Sequence, residues 1–66
     1  MRLRINGEWK EFALLASVAD LVPALELVGK RIAVELNGEI VPRSQHGSAV
    51  LNDGDELEIV VAVGGG

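Results

Sequence analysis

The sequence predicts a small α+β domain in which one main helix packs on one face of a mixed sheet of four to five strands. Three features support this fold class. Apolar and polar residues alternate at the start of the chain, two Asn-Gly pairs mark tight hairpins, and one apolar stripe has helical spacing. The 66 residues are fewer than an average domain contains. We therefore expect residues 1–66 to form a single domain.

The chain opens with a predicted β-hairpin. Residues 1–5 alternate between apolar and basic side chains, as a half-buried strand does. Asn6-Gly7 follows, and this pair favours a type I′ turn because both central residues of that turn need positive φ. Residues 8–12 are predicted to return antiparallel to the first strand, with Trp9 on one face and Phe12 on the other.

A helix is predicted to begin at Ser17 and to end at Gly29. Ser17 and Asp20 have the spacing of a capping box, and a glycine is typical just past a helix end. Four apolar residues form one stripe: Leu21, Val22, Leu25 and Val28. Pro23 would break a backbone hydrogen bond inside this helix. Pro23 therefore leaves two alternatives: the helix is kinked at Pro23, or the regular part of the helix starts near Pro23.

Three further strands follow the helix. Residues 31–36 form the third strand, with Ile32, Val34 and Leu36 facing inward. Asn37-Gly38 is the second hairpin turn, and residues 39–41 form a short return strand that Pro42 stops. Residues 43–51 have the composition of a loop, and residues 52–55 form a tight turn.

The last strand, residues 56–63, is the longest and most apolar, and we expect it to lie centrally beside the first strand in a β-grasp arrangement. Leu57, Ile59, Val61 and Val63 form its inward row. Because one helix covers only one side of a sheet, Val60 and Ala62, together with Ala33, should lie on a partly exposed apolar surface that binds a protein partner. The alternative is that the stems of Arg and Glu side chains cover these residues.

The composition excludes several classes of function. Six Lys and Arg residues against ten Asp and Glu give a net charge of −4, which argues against binding nucleic acid. The chain has no cysteine and one histidine, which excludes disulfides and zinc sites built from His and Cys. We expect no metal site. No apolar run reaches the length of a membrane span, and no signal core follows Met1, so a cytoplasmic protein is expected.

Several charged residues have an ordinary structural interpretation beside a functional one. The carboxylates between Asp53 and Glu58 suggest calcium, but the pattern fits turn chemistry better. His46 is predicted to be a solvated loop residue. Arg43 could bind an anion or pair with a carboxylate, and Lys30-Arg31 is interpreted as favourable charge near the helix C-terminus.

The three final glycines are the strongest functional feature of the sequence. Gly64, Gly65 and Gly66 directly follow the last strand, and they lack the side chains that would keep a chain out of a narrow slot. We expect a flexible tail that delivers the Gly66 carboxylate into the active site of another protein. The alternative is a terminus without a role, either frayed or left over from an expression vector.

The chain resembles the ThiS family of sulfur carriers from thiamine biosynthesis, which are ubiquitin-like β-grasp proteins. The resemblance rests on residues 36–43 (LNGEIVPR), 51–59 (LNDGDELEI) and 61–66 (VAVGGG), and it covers the whole chain in length and order. It implies that a ThiF-type enzyme uses ATP to adenylate Gly66, and that a persulfide donor then converts Gly66 to a thiocarboxylate. Thiazole synthase, ThiG, would take the sulfur, and Gly64 and Gly65 match the tail that threads into both partners.

The resemblance also implies a carrier without catalytic residues or a bound cofactor, since ATP is used by the partner enzyme. We expect the free carrier to be a monomer. Two alternatives stay open within related chemistry. One is the small subunit of molybdopterin synthase, and the other is a ubiquitin-like modifier whose tail forms an isopeptide bond with a lysine.

Overall fold

A computed structural model of the chain describes residues 1–62. These residues form one five-stranded sheet and one short helix. The elements are β1 (Arg2–Ile5), β2 (Glu8–Glu11), α1 (Val18–Ala24), β3 (Ile32–Leu36), β4 (Glu39–Val41), a 3-10 turn (Arg43–Gln45) and β5 (Glu56–Val61). No helix within residues 1–62 is long and apolar enough to cross a membrane.

The sheet has the strand order β2-β1-β5-β3-β4, which confirms the central position predicted for the last strand. β5 pairs in parallel with β1, where Ile5 lies opposite Leu57, and antiparallel with β3, where Val34 lies opposite Ile59. Each hairpin therefore lies on one side of β5, which joins the two hairpins into a single mixed sheet.

Both predicted Asn-Gly turns are present, and their asparagines also hold β5. Asn6 and Asn37 each have φ near 50°, as the turn requires. The Asn6 side chain donates to the Ile59 carbonyl at 3.0 Å and accepts from the Ile59 N–H at 2.7 Å. Asn37 accepts from the Glu56 N–H at 3.0 Å. The side chains thus extend the sheet by hydrogen bonds that begin where β1 and β3 end.

The core lies between one face of the sheet and α1. Alternation along β1 buries Leu3 and Ile5 and leaves Arg2 and Arg4 exposed, as predicted. The buried apolar residues are Leu3, Ile5, Val18, Leu21, Val34, Leu51, Leu57 and Ile59. Burial of such side chains is the main stabilising contribution to a domain of this size.

The helix starts as predicted but is much shorter than predicted. The Asp20 carboxylate accepts hydrogen bonds from the N–H groups of Ala16 at 2.8 Å and Ser17 at 3.1 Å, which is the acidic arm of the capping box. The helix then ends at Ala24, one residue after Pro23. The prediction of an end at Gly29 is wrong, and so is the alternative that the regular part starts near Pro23.

A Schellman motif explains why the helix stops so early. The Leu27 N–H bonds to the Val22 carbonyl at 2.7 Å, the Glu26 N–H bonds to the Pro23 carbonyl at 3.1 Å, and Glu26 has a φ of 58°. The stop signal is a glutamate in the left-handed region rather than the expected glycine. Val28, which was predicted to lie on the apolar stripe, is consequently 70% exposed.

The inward row of the last strand is also shorter than predicted. Leu57 and Ile59 are buried, but Val61 is 40% exposed and β5 ends there. Val63 lies outside the described residues. The predicted loop of residues 43–51 contains the 3-10 turn, and Val50 forms an isolated β-bridge with Ser17. This bridge ties the loop to the start of the helix.

Candidate interaction site at the end of the last strand

The outward face of β5 carries the apolar surface that the sequence predicts. Val60 is 62% exposed and lies directly opposite Ala33 on β3, which is also exposed. Residues opposite each other in an antiparallel pair have side chains on the same face of the sheet. Ala62 is exposed one residue beyond the strand. The alternative that Arg and Glu stems cover this surface is wrong for Val60, which keeps most of its area in solvent.

Carboxylates border this apolar surface. Glu35 and Glu58 lie directly opposite each other on β3 and β5, and Ile40 on β4 faces Glu35 and is 77% exposed. Like charges in this position destabilise a sheet. We call the surface formed by Ala33, Ile40, Val60 and Ala62 the outer apolar patch. Its role in binding a partner stays a prediction.

On the same face of the sheet, β1 contacts β2 and β5 through arginine side chains, and the sequence patterns did not reveal these contacts. The Arg2 guanidinium lies 4.8 Å from the centroid of the Trp9 ring, a cation–π distance. The Arg4 side chain forms an ion pair with Glu56 at 2.9 Å. The Arg4–Glu56 pair could have been found from the strand register, in which the two residues are partners. Arg2 lies opposite Glu11 and contacts Trp9 diagonally, so the register does not give that contact directly.

Ala62, the last residue that the structure describes, lies beside the residue that precedes β3. The Ala62 N–H donates to the Arg31 carbonyl at 2.8 Å, and this is the last backbone contact before residue 63. The predicted site residues Gly64, Gly65 and Gly66 lie outside the described residues. In the sequence, Val63 alone separates these glycines from Ala62.

The carboxylates after Leu51 stabilise the turn, as the sequence interpretation favoured. Asp53 accepts from the Arg2 N–H at 2.6 Å, and Asp55 accepts from the Asn52 N–H at 2.8 Å. Gly54 has a φ of 89°, which supplies the left-handed residue of this turn. Among residues 1–62, no three His, Asp or Glu side chains are placed to hold a metal ion.

Two predictions about basic residues are wrong. His46 is only 8% exposed, so it is not a solvated loop residue. Lys30 and Arg31 do not lie in the last turn of α1, because the helix ends six residues before Lys30. A contact between residues distant in sequence accompanies the burial of His46, since the Ala19 N–H binds the His46 carbonyl at 2.9 Å. The position of Lys30 and Arg31 follows from the early end of the helix at the Schellman motif.

A five-stranded mixed sheet with a central C-terminal strand and a single helix on one face defines a β-grasp domain. Within that class, the model of the ThiS family matches residues 3–66. The chain therefore belongs to the ThiS family.

Individual relatives agree with this assignment. The chain is 36% identical to the sulfur carrier protein ThiS of Bacillus subtilis over 67 residues, which cover 97% of this chain and 98% of that protein. The crystal structure of a thiamine biosynthesis protein (ThiS) from Geobacter metallireducens matches with a TM-score of 0.82 and 32% identity, covering 100% of both chains.

A third relative is much longer than this chain. A thiazole synthase of Paramagnetospirillum magneticum is 46% identical over 66 residues, which are 100% of this chain but only 20% of that protein. The chain thus spans a fifth of this relative, and the similarity concerns that fifth alone.

Proposed function

We propose that this protein is a sulfur carrier for thiazole formation in thiamine biosynthesis, and that the Gly66 carboxylate carries the sulfur. The observation that carries the proposal is the family match up to residue 66, which includes all three final glycines. The full-length similarity to the sulfur carrier of Bacillus subtilis supports it.

The proposed chemistry begins with activation of a poor electrophile. A ThiF-type enzyme transfers the adenylyl group of ATP to the Gly66 carboxylate and releases pyrophosphate, which gives the acyl carbon a good leaving group. The terminal sulfur of a persulfide attacks this carbon and AMP leaves. A second thiolate then cleaves the sulfur–sulfur bond, so that Gly66 keeps one sulfur as a thiocarboxylate and the two thiols become a disulfide.

Thiazole synthase is the acceptor in this proposal. A segment similar to this chain makes up a fifth of the thiazole synthase of Paramagnetospirillum magneticum. In that protein, the carrier-like segment and the rest of the synthase therefore belong to one polypeptide. A covalent connection of this kind favours functional coupling of the carrier segment to the synthase. For this chain, the same partner would be reached by binding.

In this proposal the chain is a cosubstrate rather than an enzyme, and it works in the cytoplasm. The step at Gly66 needs no catalytic side chain from the carrier, because the partner binds ATP and supplies the acid–base groups. Gly64 and Gly65 let the end of the chain enter a narrow active site, since neither residue has a Cβ. The outer apolar patch, with Val60 and Ala62, would contact the adenylating enzyme.

The test is to incubate the chain with a ThiF-type enzyme, ATP and a persulfide donor and to measure its intact mass. We expect the mass to increase by the difference between one sulfur and one oxygen, with the change located at Gly66. Transfer of that sulfur on addition of thiazole synthase and its other substrates would complete the assignment. Unchanged mass with an active enzyme, or covalent attachment of the chain to lysines of other proteins, would contradict it.

Deletion of Gly66 is the matched control for this experiment. We expect the shortened chain to show no mass change, because its terminal carboxylate, now on Gly65, would end one residue short of the adenylation site of the partner. The melting temperature should equal that of the full chain, since the core consists of residues between Leu3 and Ile59. Loading of the shortened chain at the normal rate would show that the position of the terminal carboxylate is not critical.

A further inference from the structure

A small basic pocket is lined by Arg31, whose carbonyl binds Ala62, the last residue that the structure describes. We infer that this pocket binds the carboxylate of an acidic side chain on the protein that receives the glycine tail. The inference rests on the proposed function for the identity of that protein. The pocket is formed by the segment after α1, the first residue of β3 and the 3-10 turn, and its polar lining consists of Lys30, Arg31, Arg43 and His46.

The cations of the pocket have no anionic partner within the described part of the chain. Lys30, Arg31 and Arg43 are three of only six Lys and Arg residues in a chain with ten acidic residues. None of them forms an ion pair with a carboxylate of residues 1–62, whereas Arg4 pairs with Glu56. Three cations from two segments, Lys30-Arg31 and the 3-10 turn with Arg43, therefore create a local positive field on an otherwise acidic domain.

His46 provides an independent indication of a ligand. It is 8% exposed, and within residues 1–62 no hydrogen bond joins its ring to another group. Buried polar side chains are almost always paired. Every fully enclosed side-chain nitrogen or oxygen in the described residues has a partner, so the unpaired ring nitrogens of His46 keep some contact with solvent, and the residue is part of the pocket lining.

The size of the pocket selects the ligand class. Its volume is about 130 Å³, room for roughly four water molecules or for one oxyanion group. Pockets that hold a drug-sized ligand or a nucleotide have roughly 300 Å³ or more. Arg and Lys side chains form strong charge-assisted hydrogen bonds with carboxylate and phosphate alike. The lining therefore fits a single carboxylate or phosphate head group.

The position of the pocket favours a carboxylate on a protein over free phosphate. The Arg31 carbonyl accepts the hydrogen bond of the Ala62 N–H at 2.8 Å, so the backbone of the pocket is joined to the last sheet contact before the tail. Only Val63 separates Ala62 from Gly64 in the sequence, so we expect a protein that binds the final glycines to lie close to Arg31. An acidic side chain at its rim would pair with the pocket, steer the encounter and fix the orientation of the carrier.

The first experiment uses the free full-length chain and two probes, a tetraglutamate peptide and inorganic phosphate. Amide signals of Gly29, Lys30 and Arg43 and the ring signals of His46 are followed by NMR during titration. We expect both probes to shift these signals and the effect to be lost in Arg43→Gln. Shifts with phosphate but not with the peptide, or no shift with either probe, would overturn the inference.

The second experiment measures binding of the chain to the ThiF-type enzyme and compares Arg43→Gln with Lys10→Gln. Both variants lose one exposed positive charge, but Lys10 lies on β2, outside the pocket. We expect the dissociation constant to rise about tenfold for Arg43→Gln and less than about twofold for Lys10→Gln. Equal affinities of the two variants would overturn the inference, provided their melting temperatures are unchanged.

Loading of the wild-type chain, measured in parallel by intact mass, tests the proposed function separately. If the wild-type chain is loaded and Arg43→Gln binds like Lys10→Gln, the pocket inference is wrong and the carrier function stands. If the wild-type chain is not loaded, the proposed function is wrong, and the peptide titration alone decides whether the pocket binds carboxylates.

Discussion

At the scale of single residues, the asparagines of the two Asn-Gly turns do more than form turns. Their backbone conformation follows directly from the sequence, because Asn and Gly accept positive φ. Their side-chain role could not be predicted, since it depends on β5 passing within reach of both. The Asn6 side chain continues the hydrogen bonding of β1 beyond the end of the strand. β1 ends at Ile5, and the Asn6 side-chain amide binds both the N–H and the carbonyl of Ile59.

Asn6→Gly should separate these two roles. Glycine keeps the left-handed backbone but loses both hydrogen bonds to Ile59, which are partly buried. We expect a loss of about 1–3 kcal/mol in the free energy of unfolding, measured by urea denaturation. Asn37→Gly is the control, because its lost hydrogen bonds are exposed and should cost less. Equal losses in the two variants would contradict this account.

Glu26 is a residue at which the native backbone is strained. Its φ of 58° lies in the left-handed region, which costs a residue with a Cβ about 1 kcal/mol relative to glycine. We expect Glu26→Gly to stabilise the protein by about 0.5–1 kcal/mol, observed as a higher melting temperature. Glu26→Ala removes the same charge and keeps the Cβ, so an equal gain in Glu26→Ala would assign the effect to charge.

At the scale of elements, most boundaries follow from simple patterns, and the exceptions have identifiable causes. Alternation predicts β1 and β3, and Pro42 correctly marks the end of β4. The end of α1 was missed because Gly29 is the conventional stop signal, whereas the helix already stops through Pro23 and a left-handed Glu26. Nothing in the local pattern distinguishes this glutamate from one inside a helix.

The outward face of β5 is an element whose proposed role can be tested by one substitution. We expect Val60→Asp to weaken binding to the adenylating enzyme by about tenfold or more, because a desolvated charge would enter the apolar centre of the interface. Val60 is 62% exposed, so stability should change little. Binding is measured by calorimetry and stability by thermal melting.

Val50→Asp is the control for this substitution. Val50 is 64% exposed, nearly the same as Val60, but it lies in the loop before the last turn rather than on the sheet. We expect normal affinity for this variant. If Val60→Asp loses stability and affinity together, its side chain belongs to the core rather than to an interface.

At the scale of the whole molecule, the topology was predictable and the basic pocket was not. The sequence places the most apolar strand last, and such a strand is buried most effectively at the centre of the sheet, between the two hairpins. The pocket instead combines Arg31, Arg43 and His46 from segments that become neighbours only after folding. Each of these residues has an ordinary interpretation when it is considered alone, so their combined role emerges only in three dimensions.

The central position of β5 predicts how stability is distributed over the molecule. β5 pairs on both sides, whereas β4 is an edge strand of only three residues. We expect the amide protons that β5 donates to β3 and β1 to exchange only through global unfolding, and those of β4 to exchange through local opening. Native-state hydrogen exchange measures both. Equal protection of β4 and β5 would indicate that the sheet opens as a single unit.

The same position of β5 has a consequence during synthesis of the chain. Until residues 56–61 have been made, the two hairpins have no common strand, and Leu3, Ile5 and Val34 lack their main partners. The glycines at 64–66 follow almost immediately after this strand. A nascent chain therefore acquires its proposed reactive end only after the last strand of its core, so that truncated products without β5 also lack the residue that would carry sulfur.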